Sequence, residues 1–334
     1  MSTKTAAAVQ SNPMEGHGLR LMIAVVLAMI AGVIHGDFLV VFMGPVFVTM
    51  FAVPDGPAPT LTKAAVIALL VWVTGLATSG IGDFFSNHQS VLVLFFAAGL
   101  FACFMRDALV GPSPVIGLVL VVMVVAGTMS ANFAPLAKDV INALPVAVLF
   151  SMIAIMFAHA IVPSTADETG VEPPGEPADA PVRDALMRTA ILLPLIIWFL
   201  ATGKVGSFYI LIVAISVLRV PKPETVALAL VAANFLGGAV ALVAATLIFI
   251  TPSPLFGVIV LALMALGLGL MVEQGGVRGK LAGAASGPAM IMLMLALSVL
   301  DGSDVYISRV LEIAASVLYV LLAMALLSSV ARKP

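Results

Sequence analysis

From residue 19 to nearly the end of the chain, long apolar runs alternate with short polar or glycine- and proline-rich breaks. Twelve runs can be marked off: 19–34, 38–53, 61–82, 90–106, 113–130, 137–162, 186–202, 207–220, 224–250, 254–272, 280–299 and 305–329. Most approach the ~20 residues that a helix needs to cross a ~30 Å hydrocarbon core. The breaks "VPDGPAP", "GPSP", "VPKP" and "TPSP" supply turn residues between them. The pattern predicts an all-α polytopic membrane protein with about twelve transmembrane helices. Because the runs continue along the whole chain, the first is expected to be a retained helix rather than a cleaved leader.

Composition sharpens this picture. Of 334 residues, 62% are hydrophobic and 10% charged, more apolar surface than a soluble domain of this length can bury. The net charge of −2 gives no basis for nucleic-acid binding. Cys103 is the only cysteine, so no intrachain disulfide can form, and packing is its expected role. The fifteen Lys and Arg residues are distributed unevenly. Only Lys138, Lys204 and Arg309 fall on the side opposite the N-terminus, which predicts that both termini are cytoplasmic.

One long polar stretch, "PSTADETGVEPPGEPADAPVRD", divides the chain. Its acids and prolines predict a disordered linker over 163–185. The expected organisation is a cytoplasmic tail (1–18), a first six-helix repeat (19–162), the linker, a second six-helix repeat (186–329) and a short cytoplasmic tail (330–334). Six spans is an even number, so the halves share one orientation and form a parallel repeat. Short matches recur in order. Arg20 and Arg188 open the first helix of each half, Gly36-Asp37-Phe38 pairs with Gly206-Ser207-Phe208, and the second helix of each half closes at Val-Pro (53–54, 220–221). Both second helices are short, at ~24 and ~20 Å, and the first carries Gly44-Pro45 inside it. Short or broken helices at matching places in two halves point to a transport site, although tilt or local bilayer thinning accounts for them as well.

With its arginine-bearing first helix, short second helix closing at "VPDGPAP" or "VPKPET", and sixth helix opening with Arg309 and Glu312 in "SRVLEIAA", the chain resembles the fusaric acid resistance (FUSC) family, which includes aromatic acid exporters. It would be a short branch, with the acidic linker where longer members carry a cytoplasmic domain. The first half has Lys138-Asp139 where the second has Arg309 and Glu312. The resemblance implies a bacterial inner-membrane exporter of small aromatic or amphipathic organic acids, working with a periplasmic adaptor protein; whether the chain forms a homo-oligomer stays open. The major facilitator superfamily fits less well, since "VPDGPAPTLTK" lacks the basic motif expected between helices two and three.

Ionisable groups inside a membrane are costly and draw attention first. Asp37, with His35 two residues before it, reads either as the N-cap of the second helix or as a partly buried, titrating proton-coupling group. Asp83, followed by Asn87 and His88, reads as a surface loop or as part of a proton relay with Asp37. Arg20 and Arg188 read as topology anchors or as a pair that attracts an organic anion. Gly44, Pro45, Phe38 and Phe208, on the short second helices, are the remaining candidate substrate contacts. Arg106–Asp107 and Arg309–Glu312 read as local pairs, and Asn132, Asn234 and His159 as packing groups. No nucleotide loop, metal-ligand cluster or hydrolytic triad is visible, so neither a cofactor nor catalysis is expected, and proton-driven transport is. A passive organic-anion channel, a non-transporting scaffold and a lipid-modifying enzyme are the alternatives.

Overall fold

The computed structural model describes residues 16–52, 56–163, 180–203, 208–219, 223–298 and 302–331. The Val-Pro pairs, Lys204, Ser207 and most of the acidic linker lie outside these residues, as do the side chains of Phe208 and Arg309. Among the described residues the chain is all helix: α1 (His17–His35), α2 (Phe38–Phe51), α3 (Leu61–Phe84), α4 (Gln89–Val110), α5 (Pro114–Ile161), α6 (Pro181–Thr202), α7 (Phe208–Arg219), α8 (Pro223–Ile250), α9 (Pro254–Glu273), α10 (Gly276–Ser298) and α11 (Gly302–Ala331).

Local chemistry sets the boundaries. Proline opens α5, α6, α8 and α9, where its missing N–H costs nothing and its fixed φ suits the first turn. Thr60 caps α3 by accepting the Lys63 N–H at 3.2 Å. Gly36, with φ of 81°, ends α1 in the left-handed conformation and turns the chain into α2. The same rules move one expected boundary. Pro181 starts α6 ahead of the expected 186, so the last residues assigned to the linker belong to the first turns of a helix.

The runs 113–130 and 137–162 both fall within α5, whose 48 residues would measure ~72 Å as one straight rod. It is not straight. Phe133 has non-helical angles (φ −146°, ψ 64°), and Pro135 lacks the N–H that would bond back to Ala131. Residues at similar distances on either side of Phe133 share cores. Val125, Ala126 and Met129 cluster with Ala137 and Ile141, and Leu118 and Val122 cluster with Ala147, Val148 and Met152. The two arms of α5 are therefore a helical hairpin, and α3 lies along it.

The most extensive helix packing lies within each half, α3 on α5 and α8 on α10, and the halves are joined by further contacts across the linker. Helix α1 packs on α9, and α6 packs on α4; α2 touches α10, and α7 touches α5. One core joins Leu21, Val25 and Val48 to Ile155 on one side of the linker and to Ala241, Leu261, Leu268 and Leu293 on the other. A second core joins Phe96, Phe104 and Leu120 to Ile191, Phe199, Leu211, Ile215 and Val317. The first half also has a core of its own, where Val40 and Phe47 meet Ile67, Val71, Val122 and Val148. Lipid gives little apolar driving force for helix association, so close approach matters more. A Cβ on Gly269 of α9 would collide with the Cα of Gly18 of α1, so only glycine permits this approach.

Leu69, Leu94, Leu263 and Leu326 are among many large apolar side chains on the outer surface. Among the described residues, seven helices are long and apolar enough to cross a membrane. A surface this greasy is stable against lipid rather than water, and the chain is a multi-pass membrane protein.

Candidate functional site

Asp37 forms the corner between α1 and α2. Its Oδ1 accepts the N–H of Leu39 at 2.8 Å, and its backbone is extended, the geometry of an N-cap. The side chain is half-buried, and neighbouring His35 is exposed, with its ring edge-on to Phe150 at 5.8 Å. Asp83 and His88 are exposed at the turn between α3 and α4. Among the described residues, no hydrogen bond or ion pair joins these two to Asp37. Phe38 is exposed and stacks edge-on with Phe42 at 4.5 Å.

Gly44 and Pro45 lie buried in the middle of α2. A Cβ on Gly44 would press on Ala28 of α1 at 3.3 Å. The hydroxyl of Ser151, on the second arm of α5, donates to the Gly44 carbonyl at 2.8 Å. Helix α7 has the same support, since the hydroxyl of Ser316 on α11 donates to the Ile210 carbonyl at 3.0 Å. Sequence reasoning passed over both serines, although each stands in an apolar run, in the last helix or arm of its half. Beside Pro45, a narrow apolar crevice runs between Phe42 and Met29 on one side and Leu261 and Met290 on the other. It has ≈10 Å³, room for a single water.

The two arginines occupy different surroundings. Arg20 is buried near the start of α1, with Nη1 3.5 Å from the Pro163 carbonyl. Arg188 pairs with Asp184 one turn earlier on its own helix, at 2.8 Å. One packs where α1 meets α9, the other where α6 meets α4.

The most developed polar contact was not among the sequence candidates. Asp107, in the last turn of α4, has a side chain only 1% exposed. Arg219, the last residue of α7, donates Nε–H to its Oδ2 at 2.7 Å and Nη2–H to the Ser113 carbonyl at the start of α5. Arg106 stands 3.5 Å from the other carboxylate oxygen and donates to the Gly111 carbonyl at 3.0 Å. The expected local pair is present, but the closer partner comes from the other side of the linker. Gly117 makes the room, because a Cβ there would collide with Nη1 of Arg219. At the corresponding end of α9, Glu273 Oε1 accepts the Gly18 N–H of α1 at 2.6 Å. No group of three or more metal-ligating side chains exists among the described residues. Comparison of the chain with protein-family models, with curated proteins and with solved structures finds no match.

Proposed function

We propose that this protein is an inner-membrane secondary transporter, built as two parallel six-helix repeats, that exports small aromatic or amphipathic organic acids at the expense of a proton gradient. The observation that carries this reading is the reciprocal packing of the halves. The first helix of each half packs on the fourth of the other, α1 on α9 and α6 on α4. The short second helices, α2 and α7, each meet the fifth helix of the other half, α10 and the first arm of α5. Counting each arm of α5 as one helix is in keeping with a reading of six segments in each half. Interchanging the halves converts the helices of one large core into those of the other, save that α3 adds only the partly buried Ile81 where α8 supplies Ala241, Ala244 and Ala245. A two-fold seam with short helices on it is the arrangement in which transporters place a substrate between rocking halves.

The basic-residue distribution assigns the end with Arg20, Arg106, Arg188 and Arg219 to the cytoplasm. The apolar crevice beside Pro45 suits the ring or tail of an amphipathic acid once the seam widens. The substrate class and the adaptor partner rest on the resemblance to the FUSC family. The test is transport in proteoliposomes. Aromatic acids should move against their gradient when a proton gradient is imposed and should stop when it is collapsed. Electrical currents that persist without proton coupling would replace the exporter with an anion channel, and no flux of any organic acid would reject transport.

A further inference from the structure

We propose that Asp107–Arg219 and Glu273–Gly18 are two latches that close the seam between the halves at the cytoplasmic end and must part when that end opens. The proposal rests on the two-repeat reading given above. Asp107 and Glu273 hold corresponding places, each in the last turn of the fourth helix of its half, and each grips the opposite half. The first latch is a buried ion pair. Arg219 reaches from α7 to the Asp107 carboxylate and to the Ser113 carbonyl, so it clamps both the end of α4 and the start of α5. The bare Cα of Gly117 seats its guanidinium. The second latch is a cap in trans. The first N–H groups of a helix lack partners within it, the residue before α1 is glycine with no capping side chain, and Glu273 supplies the acceptor from the other half. Among the described residues, these cross-half bonds gather at one end of the bundle. At the opposite end, Asp37 bonds within its own helix. The cross-half bonds tie the halves at one end, and two halves rocking about a central site require ties of this kind to form and break.

Cys103 is the chain's sole cysteine, lies one turn before Asp107 on α4 and is partly buried. It makes a native reporter for opening at the first latch. The experiment is the rate of Cys103 alkylation by a membrane-impermeant maleimide in inside-out vesicles carrying the full-length protein. Wild type should react slowly. Asp107→Asn and Gly117→Ala, by loss of the charge and by a collision with the guanidinium, should each speed labelling about tenfold through a shift toward the open state. Arg219→Ala should do the same, and adding Gly117→Ala to it should change nothing further, because no guanidinium remains to be struck. Equal labelling of wild type, Asp107→Asn and Gly117→Ala would overturn the proposal. So would a Gly117→Ala effect that persists at full size without Arg219. Size-exclusion profiles exclude misfolded protein from the comparison, and Gly117→Ala keeps the test open if Asp107→Asn does not fold. Labelling needs no substrate, so latched gating without any organic-acid flux would keep the latch and discard the transporter.

Discussion

Asp37 and Asp107 are both aspartates at helix ends in a chain poor in charge, yet they are held in opposite ways. Asp37 stands at the N-terminus of α2, where free N–H groups and the positive end of the helix dipole favour an anion, and it uses its own helix as partner. Asp107 stands at the C-terminal end of α4, where the dipole opposes it and burial removes water. A carboxylate survives there only with strong partners, and its closest one comes from a helix 112 residues away. The first aspartate is a local solution that a short peptide could reproduce. The second exists only once the halves have packed.

The largest effect that separates the two is on stability. Asp107→Ala leaves the Arg219 guanidinium, itself only 14% exposed, without its carboxylate, at an expected cost of about 3–5 kcal/mol. Asp37→Ala removes a cap and should cost about 1 kcal/mol. Thermal unfolding in detergent measures both, and equal losses would erase the distinction. Gly117→Ala comes next, at about 1–3 kcal/mol for forcing a methyl into the seat of Arg219. Most of that cost should vanish in an Arg219→Ala background, and a full cost there would mean that Gly117 serves helix packing instead.

The arginines give a smaller contrast of the same kind. Arg20→Gln loses a buried side chain and its bond to the Pro163 carbonyl, an expected loss of about 1–2 kcal/mol. Arg188→Gln breaks an i,i+4 pair with Asp184 on its own helix and leaves a neutral hydrogen-bonding side chain in its place, an expected loss of about 0.5–1 kcal/mol. A larger loss at Arg188 than at Arg20 would reverse the assignment of which arginine is built into the seam.

What could be read from the sequence follows the same division between near and distant partners. Helix ends were legible because glycine and proline act locally: the break at "ANFAPL" is there at Phe133, and Asp37 caps the helix that it precedes. The start of α6 was misplaced because Pro181 looks alike as a linker residue and as the first residue of a helix. Arg219 was counted only as one more cytoplasmic charge. Nothing in "VLRVPKP" says that its guanidinium will lie over Gly117 and reach Asp107, since that depends on how α7 packs against α4 and α5. Ser151 and Ser316 were legible in principle, as hydroxyls in corresponding apolar segments, each of which must find a carbonyl.

The smallest expected effect on stability belongs to the substitution that asks most about function. Asn caps a helix about as well as Asp, so Asp37→Asn should change stability by less than about 0.5 kcal/mol. What it removes is titration. Asp37 is half-buried at the end of the bundle away from the latches, the side from which protons enter under the proposed orientation. A proton-coupled exporter needs a carboxyl that is neutral in one facing state and ionised in the other. If Asp37 is that group, Asp37→Asn loses proton-driven uphill export in proteoliposomes while downhill exchange and folding persist. Unchanged uphill export would leave Asp37 as a cap alone. Coupling would then move to a carboxylate whose partner changes between states, and Asp107, whose closest partner lies across the seam, becomes the first to test.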